Sequence, residues 1–224
     1  MSYSDSLGMA LSSLHKTSSL IYSSAESAFY AEEYTFNGEL LLLVKNDLTG
    51  NIPGDVKKYF FKNDSLVLVT KTTKNLKDGV QVFSDHRIFI RKNTLFKEES
   101  RMAASASSLD NLPYKEIKNA EGSSTGFTDS IVVLKDALRG GRQFDLTFDE
   151  FIPEGSGGSI ILKNKIPGVY TSNITVTQRD SFIDSLIIVP QLFKNEKLKL
   201  NWILKNGEAF YVPVSVTSAK GLKR

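Results

Sequence analysis

Apolar and polar residues alternate through most of the chain, and turn residues interrupt the alternation at near-regular intervals. Tyr34-Thr-Phe-Asn-Gly-Glu-Leu40, Tyr59-Phe-Phe-Lys-Asn-Asp-Ser-Leu66 and Ile88-Phe-Ile-Arg-Lys-Asn-Thr-Leu95 share one pattern. Each runs an alternating segment into a turn containing Asn and returns on Leu. Asn, Asp and Gly tolerate positive φ, so the pattern predicts tight hairpins. The copies recur about every 25–29 residues, the spacing of a meander of hairpins. Five or six antiparallel strands are therefore expected between residues 32 and 98, with Asn51–Asp55 and Asn75–Gly79 as connecting turns.

Two stretches have helical spacing instead. In residues 4–30, Leu7, Leu11, Leu14, Ser18, Ile21, Ala25 and Ala28 fall on one stripe, predicting a helix that covers a sheet face. The serine content competes with that helix, and an arm without fixed structure is its rival. Ile131, Leu134 and Leu138 predict a second helix over Asp129–Leu138, stopped by Gly140-Gly141. Between them, the Ala/Ser-rich 103–108 and the run Gly122-Ser-Ser-Thr-Gly126 mark a boundary. After the second helix, strands are expected at Phe144–Phe151, Ser159–Lys163, Ser172–Gln178, Leu186–Pro190, Lys197–Leu204 and Phe210–Thr217, with Lys205-Asn-Gly207 as a hairpin turn.

The expected fold is mainly β (α+β): an N-terminal helix on an antiparallel meander, then a second antiparallel sandwich or half-barrel region. The units are 1–104, a linker at 105–127, and 128–224, which could share one core with the first. With 224 residues, 41% hydrophobic and 24% charged, the chain has enough apolar surface for a core without staples.

Charge and residue types narrow the chemistry. Net charge is +3, with Lys and Arg interleaved among Asp and Glu, which gives a nucleic-acid role little support. There is no cysteine, which removes disulfides, thiolate catalysis and Cys-based zinc sites. Met1–Ala10 lacks a signal-peptide pattern, and the longest apolar run, Leu40–Val44, is too short for a transmembrane segment. The compartment stays open: cytoplasmic by default, secreted or periplasmic if a signal was trimmed.

The candidate reactive groups are few. His15 lies off the apolar stripe of the first helix. His86 neighbours Asp85, but neighbours on a strand point to opposite faces, so Asp85 cannot orient it as a triad requires. Asp145 and Asp149, with Glu150 and Glu154 nearby, lack a calcium-loop spacing. Glu154-Gly-Ser-Gly-Gly-Ser159 lacks the Lys and following helix of a phosphate loop and reads as an inter-strand loop. Arg139-Gly-Gly-Arg142 is a single copy of a motif that acts in repeats. In Lys197-Leu-Lys-Leu-Asn-Trp202, basic and apolar residues alternate toward the single Trp. Lys194, Lys197, Lys199, Trp202 and Lys205 are thus the expected partner or ligand surface. No catalytic residue, metal or cofactor is expected.

At Tyr34–Leu40 and Tyr59–Leu66 the chain resembles secreted or periplasmic bacterial β-meander proteins. Those are built from Y-x-F-x-N-G-x-L hairpins behind an N-terminal helix, mostly without an assigned function. The resemblance covers residues 30–98. Three functions follow as expectations. The first is a non-enzymatic protein-interaction or scaffold module acting through sheet surfaces and loops. The others are a binder of an apolar or lipid-like ligand in a curved-sheet cup, and a self-assembling structural protein of coat or matrix type.

Overall fold

The computed structural model describes residues 3–49, 52–77, 80–118, 122–123, 125–166 and 169–213. Helix α1 (Tyr3–Ala10) and a 3-10 turn (Leu11–Ser13) precede two short strands, β1 (His15–Ser18) and β2 (Tyr22–Ser23). Six long strands follow: β3 (Ala28–Phe36), β4 (Glu39–Thr49), β5 (Ile52–Lys62), β6 (Ser65–Lys77), β7 (Val80–Arg91) and β8 (Thr94–Ala103). Then come α2 (Ala106–Asp110), β9 (Lys115–Glu116), β10 (Gly122–Ser123) and α3 (Thr125–Arg139). The remainder is β11 (Leu146–Glu154), β12 (Gly157–Asn164), β13 (Thr171–Val176), α4 (Ser181–Ile188), β14 (Trp202–Lys205) and β15 (Glu208–Tyr211). The strands join in one open sheet in the order β10-β8-β7-β6-β5-β4-β3-β2-β13-β12-β11, with β1 on β3, β9 on β8 and the β14–β15 hairpin on β13.

The three repeated segments are three equivalent hairpins. Their central pairs, Asn37-Gly38, Asn63-Asp64 and Lys92-Asn93, all have positive φ, between 50° and 82°. Two such residues make the type I′ turn whose twist matches the flanking strands. The repeat extends further than the turns. Four residues past the first turn residue, each return strand carries one extra residue: Leu41, Val67 and Phe96. A bulge at the same place in each copy adds the same local right-handed twist.

Alternation divides the meander into two faces. Leu42, Val44, Phe60 and Leu68 lie on one face, covered by Leu7, Leu11 and Leu14. Leu43, Tyr59, Phe61, Val69 and Ile90 lie on the other, packed with Leu134 and Ala137 of α3. The same cluster continues through Phe148, Ile160, Ile174, Ile183 and Leu186 of the second half. Helix α3 ends as the glycine pair predicts: Gly140 has φ +59°, its N–H donates to Ala137 O, and Gly141 N–H donates to Asp136 O. These two bonds close a Schellman motif.

Several expectations are corrected. The helix over 4–30 stops at Ala10, and Ser18, Ile21, Ala25 and Ala28 do not share its stripe. His15–Ser18 pair with Thr35–Glu32, because an open edge of β3 satisfies these serine- and threonine-rich backbones better than a helix would. His15 is therefore a strand residue. Asn51–Asp55 is not a turn from Ile52 onward, since Pro53 pairs with Leu48 inside β5; Asn51 itself lies outside the described residues. Asn75–Lys77 belong to β6, with Asp78 and Gly79 outside the described residues. Leu186–Pro190 is not a strand: Asp180 Oδ1 caps Ile183 N–H at 3.0 Å and starts α4. Lys197–Asn201 carries no ladder, and the strand begins at Trp202. The last strand ends at Tyr211, with 214–217 outside the described residues. The glycine-rich 154–159 is mostly ladder, for only Gly155 and Ser156 form the turn between β11 and β12.

Candidate functional site

The sheet forks where the two halves meet. β3 carries β2 and β1 in succession along one edge, and β13 carries β2 and then β15 along one of its edges. β1 and the β14–β15 hairpin therefore diverge from a common root at β2. Between them lies an open groove of about 610 Å³, lined by His15–Ser18 on one wall and Leu200–Leu204 on the other.

Both walls are strand edges without a ladder partner among the described residues. Antiparallel ladders alternate pairs that exchange hydrogen bonds with pairs whose N–H and C=O point away. Ser19 N–H donates to Ala31 O at 2.9 Å, so the outward-pointing residues of β1 are Lys16 and Ser18. Val212 N–H donates to Asn201 O at 2.9 Å, so those of β14 are Trp202 and Leu204. The two edges also run in the same direction. β1 is antiparallel to β3; β13 and β15 are parallel to β3 through β2; β14 reverses once more. A strand antiparallel to one wall is antiparallel to both.

The five candidate surface residues lie along this region but do not act alike. Trp202 and Lys205 are on β14, and Trp202 packs its ring on the main core together with Leu198 and Leu200. Lys199 is exposed and makes no ion pair among the described residues. Lys197 and Lys194 are structural ties. Lys197 reaches Asp145 at 2.8 Å and Gly140 O at 3.2 Å, next to the end of α3. Lys194 reaches Asp149 Oδ1 at 2.5 Å and its carbonyl at 2.8 Å. Lys163 also bonds Asp149, and the Lys163 and Lys194 hydrogen bonds hold that carboxyl below the usual carboxylate range. The acidic pair at 145 and 149 is thus used up by lysines.

Of the histidines, His86 Nδ1 lies 3.5 Å from Glu98, while Asp85 turns away to accept from Arg101 Nε and Nη2 at 3.0 and 2.8 Å. No group of three His, Cys, Asp or Glu side chains is placed to hold a metal ion among the described residues. No helix among them is long and apolar enough to cross a membrane.

A second hollow was not visible in the sequence. It has about 490 Å³ and lies between strands β4–β6 and α3. Lys45 pairs with Lys57 across β4 and β5, and Lys57 with Lys71 across β5 and β6, so three lysines stand in one row. Lys45 has Asp47 at 2.5 Å and Lys71 has Asp55 at 3.3 Å. Lys57 has no carboxylate partner among the described residues; its ammonium lies 5.3 Å from the Tyr59 ring centre and 5.0 Å from that of Phe127. Burial first, then Lys71 and Lys45, push its pKa down. The row escapes a reading along the chain because strand pairing alone assembles it. No family model, curated protein or solved structure matches the chain.

Proposed function

We propose that this chain is a non-enzymatic protein-interaction module that takes an extended segment of a partner into the groove between β1 and β14. One observation carries the reading: two unpaired strand edges of equal direction face each other across an open groove. Such edges are templates for another strand, and proteins ordinarily cover or charge them. An inserted strand would meet main-chain donors and acceptors on both sides, at Lys16 and Ser18 and at Trp202 and Leu204. The partner segment is expected to be acidic. The groove lining carries His15 and Lys16 and no carboxylate, but Lys16 is held by Glu32 at 2.6 Å, so the attraction falls chiefly to Lys199 and Lys205 beside it. Hairpins behind an N-terminal helix keep the resemblance to secreted or periplasmic meander proteins within this proposal. An apolar-ligand role has less to rest on, since the hollow beneath Trp202 has about 150 Å³, below the roughly 300 Å³ at which ligand pockets begin.

The test uses proline. At an outward-pointing position it removes a donor that the ladder does not use. Lys16→Pro also gives up the Glu32 ion pair, and Leu204→Pro a side chain packed on the main core. The fold of each variant is therefore first checked by circular dichroism, with Ser18→Pro as the milder change on the first wall. Linear peptides selected from a display library against the protein should be acidic and β-prone, and should lose binding to both variants. Unchanged binding by folded proline variants overturns the reading. Self-association that Lys16→Pro abolishes would make a second copy of the chain the occupant.

A further inference from the structure

The hollow under α3 is independent of the edge groove, and its charges do not cancel in place. Two of its ion pairs, Lys45–Asp47 and Lys71–Asp55, satisfy themselves. That leaves Lys57 without a carboxylate, and Asp129 of α3, exposed and lining the same hollow, without a cation among the described residues. Like charges directly opposite on neighbouring strands are destabilising, and Lys57 stands between Lys45 and Lys71 with the Tyr59 and Phe127 rings against its ammonium to offset the repulsion.

We propose that this hollow binds a small zwitterion of the free α-amino acid class, with its carboxylate on Lys57 and its ammonium on Asp129. The alternatives fit the lining less well. A phosphate or other dianion would bring its charge beside Asp47, Asp55 and Asp129. A simple cation would face three ammonium groups. A ligand with one charge of each sign neutralises both unpaired groups and adds no net charge. A volume of about 490 Å³ lies in the range of small-molecule sites, roughly 300–1,000 Å³. Val133 and Leu134 of α3 supply an apolar wall for a side chain. Burial first, and then repulsion from Lys71 and Lys45, lowers the pKa of Lys57, and a ligand carboxylate would relieve the second of these causes.

Calorimetric titration of the full chain with free α-amino acids, their N-acetyl derivatives and their amides tests this assignment. At least one free amino acid should bind saturably, and both blocked forms of it should bind at least about tenfold more weakly. Lys57→Met should abolish the preference for the free acid over its amide. Asp129→Asn, on an exposed helix face and safe for folding, should abolish the preference for the free amine over its N-acetyl form. The proposal fails if no free amino acid binds, if the blocked forms bind equally, or if both folded variants keep the wild-type preferences. Loss of the amide preference alone, with the amine preference intact in Asp129→Asn, would also overturn it, reducing the hollow to a carboxylate site.

Discussion

Tyr22 is 2% exposed, its ring lies 4.6 Å from that of Phe144, and its hydroxyl donates to Ala137 O at 2.9 Å. It thereby ties the root of the sheet fork to the last turn of α3. Burial, and then the Asp145 charge, push the phenol well above its ordinary value of 10.0. The unfolded chain releases this proton near pH 10 and the folded protein holds it. Stability is therefore full below pH 10 and falls as pH rises beyond it. Tyr22→Phe should lower stability at neutral pH by about 1 kcal/mol, because Ala137 O keeps the Gly140 N–H. The same variant should flatten the alkaline fall in urea-melt midpoints by one proton's share, the other buried tyrosines supplying the rest. Gly157 is a harsher case. A Cβ there would stand 2.0 Å from Val176 O, a backbone atom with no rotamer to move. Gly157→Ala should cost about 3 kcal/mol, and amide exchange should speed up along β12 and β13.

At the scale of elements, the hairpin turns differ in quality though not in geometry. Asn37-Gly38 is the preferred type I′ pair, whereas Lys92 and Asn93 hold φ of 50° and 60° without a glycine. The double change Lys92→Asn, Asn93→Gly should raise stability by about 1 kcal/mol in thermal melts, as the left-handed strain is removed. α1 has eight residues, too short to persist alone, and is held by Leu7 and by the Tyr3 hydroxyl on Phe61 O. Removing residues 1–13 should uncover Leu42, Val44, Phe60 and Leu68 and appear as new dye binding and self-association. The meander was legible because its signals are local: alternation, Asn-containing turns and Leu returns all sit within seven or eight residues. The second half was less so. Phe182, Ile183, Leu186 and Ile187 form a helix stripe, but Leu186-Ile-Ile-Val189 alone is a continuous apolar run, and a short run does not distinguish strand from helix. The fork and the lysine row were not legible at all, since both arise from pairings between segments far apart in sequence.

Across the whole molecule, the main core draws Phe29, Leu43, Tyr59 and Val69 from the meander and Leu134, Phe148, Ile160 and Leu186 from the second half. Shared burial predicts shared loss: calorimetry should show one unfolding transition whose van't Hoff and calorimetric enthalpies agree. Two separated transitions would mean that the halves hold cores of their own. The groove lies where the sheet divides at β2, which explains why the ladder offers two free edges there.

The hairpin copies carry a further consequence. Five and six residues past each turn start stand Leu42 and Leu43, Leu68 and Val69, and finally Lys97 and Glu98. The first two copies are interchangeable in phase, placing one side chain under α1 and the next under α3. Excising residues 38–63 would let Phe36 meet Ser65 as it now meets Glu39, with each flank still facing its own cover. The third copy exchanges that apolar couple for a charged one, and its return strand β8 is the last long strand of the meander. The width of the meander thus scales with the number of hairpin copies, and the charged copy stands at its end.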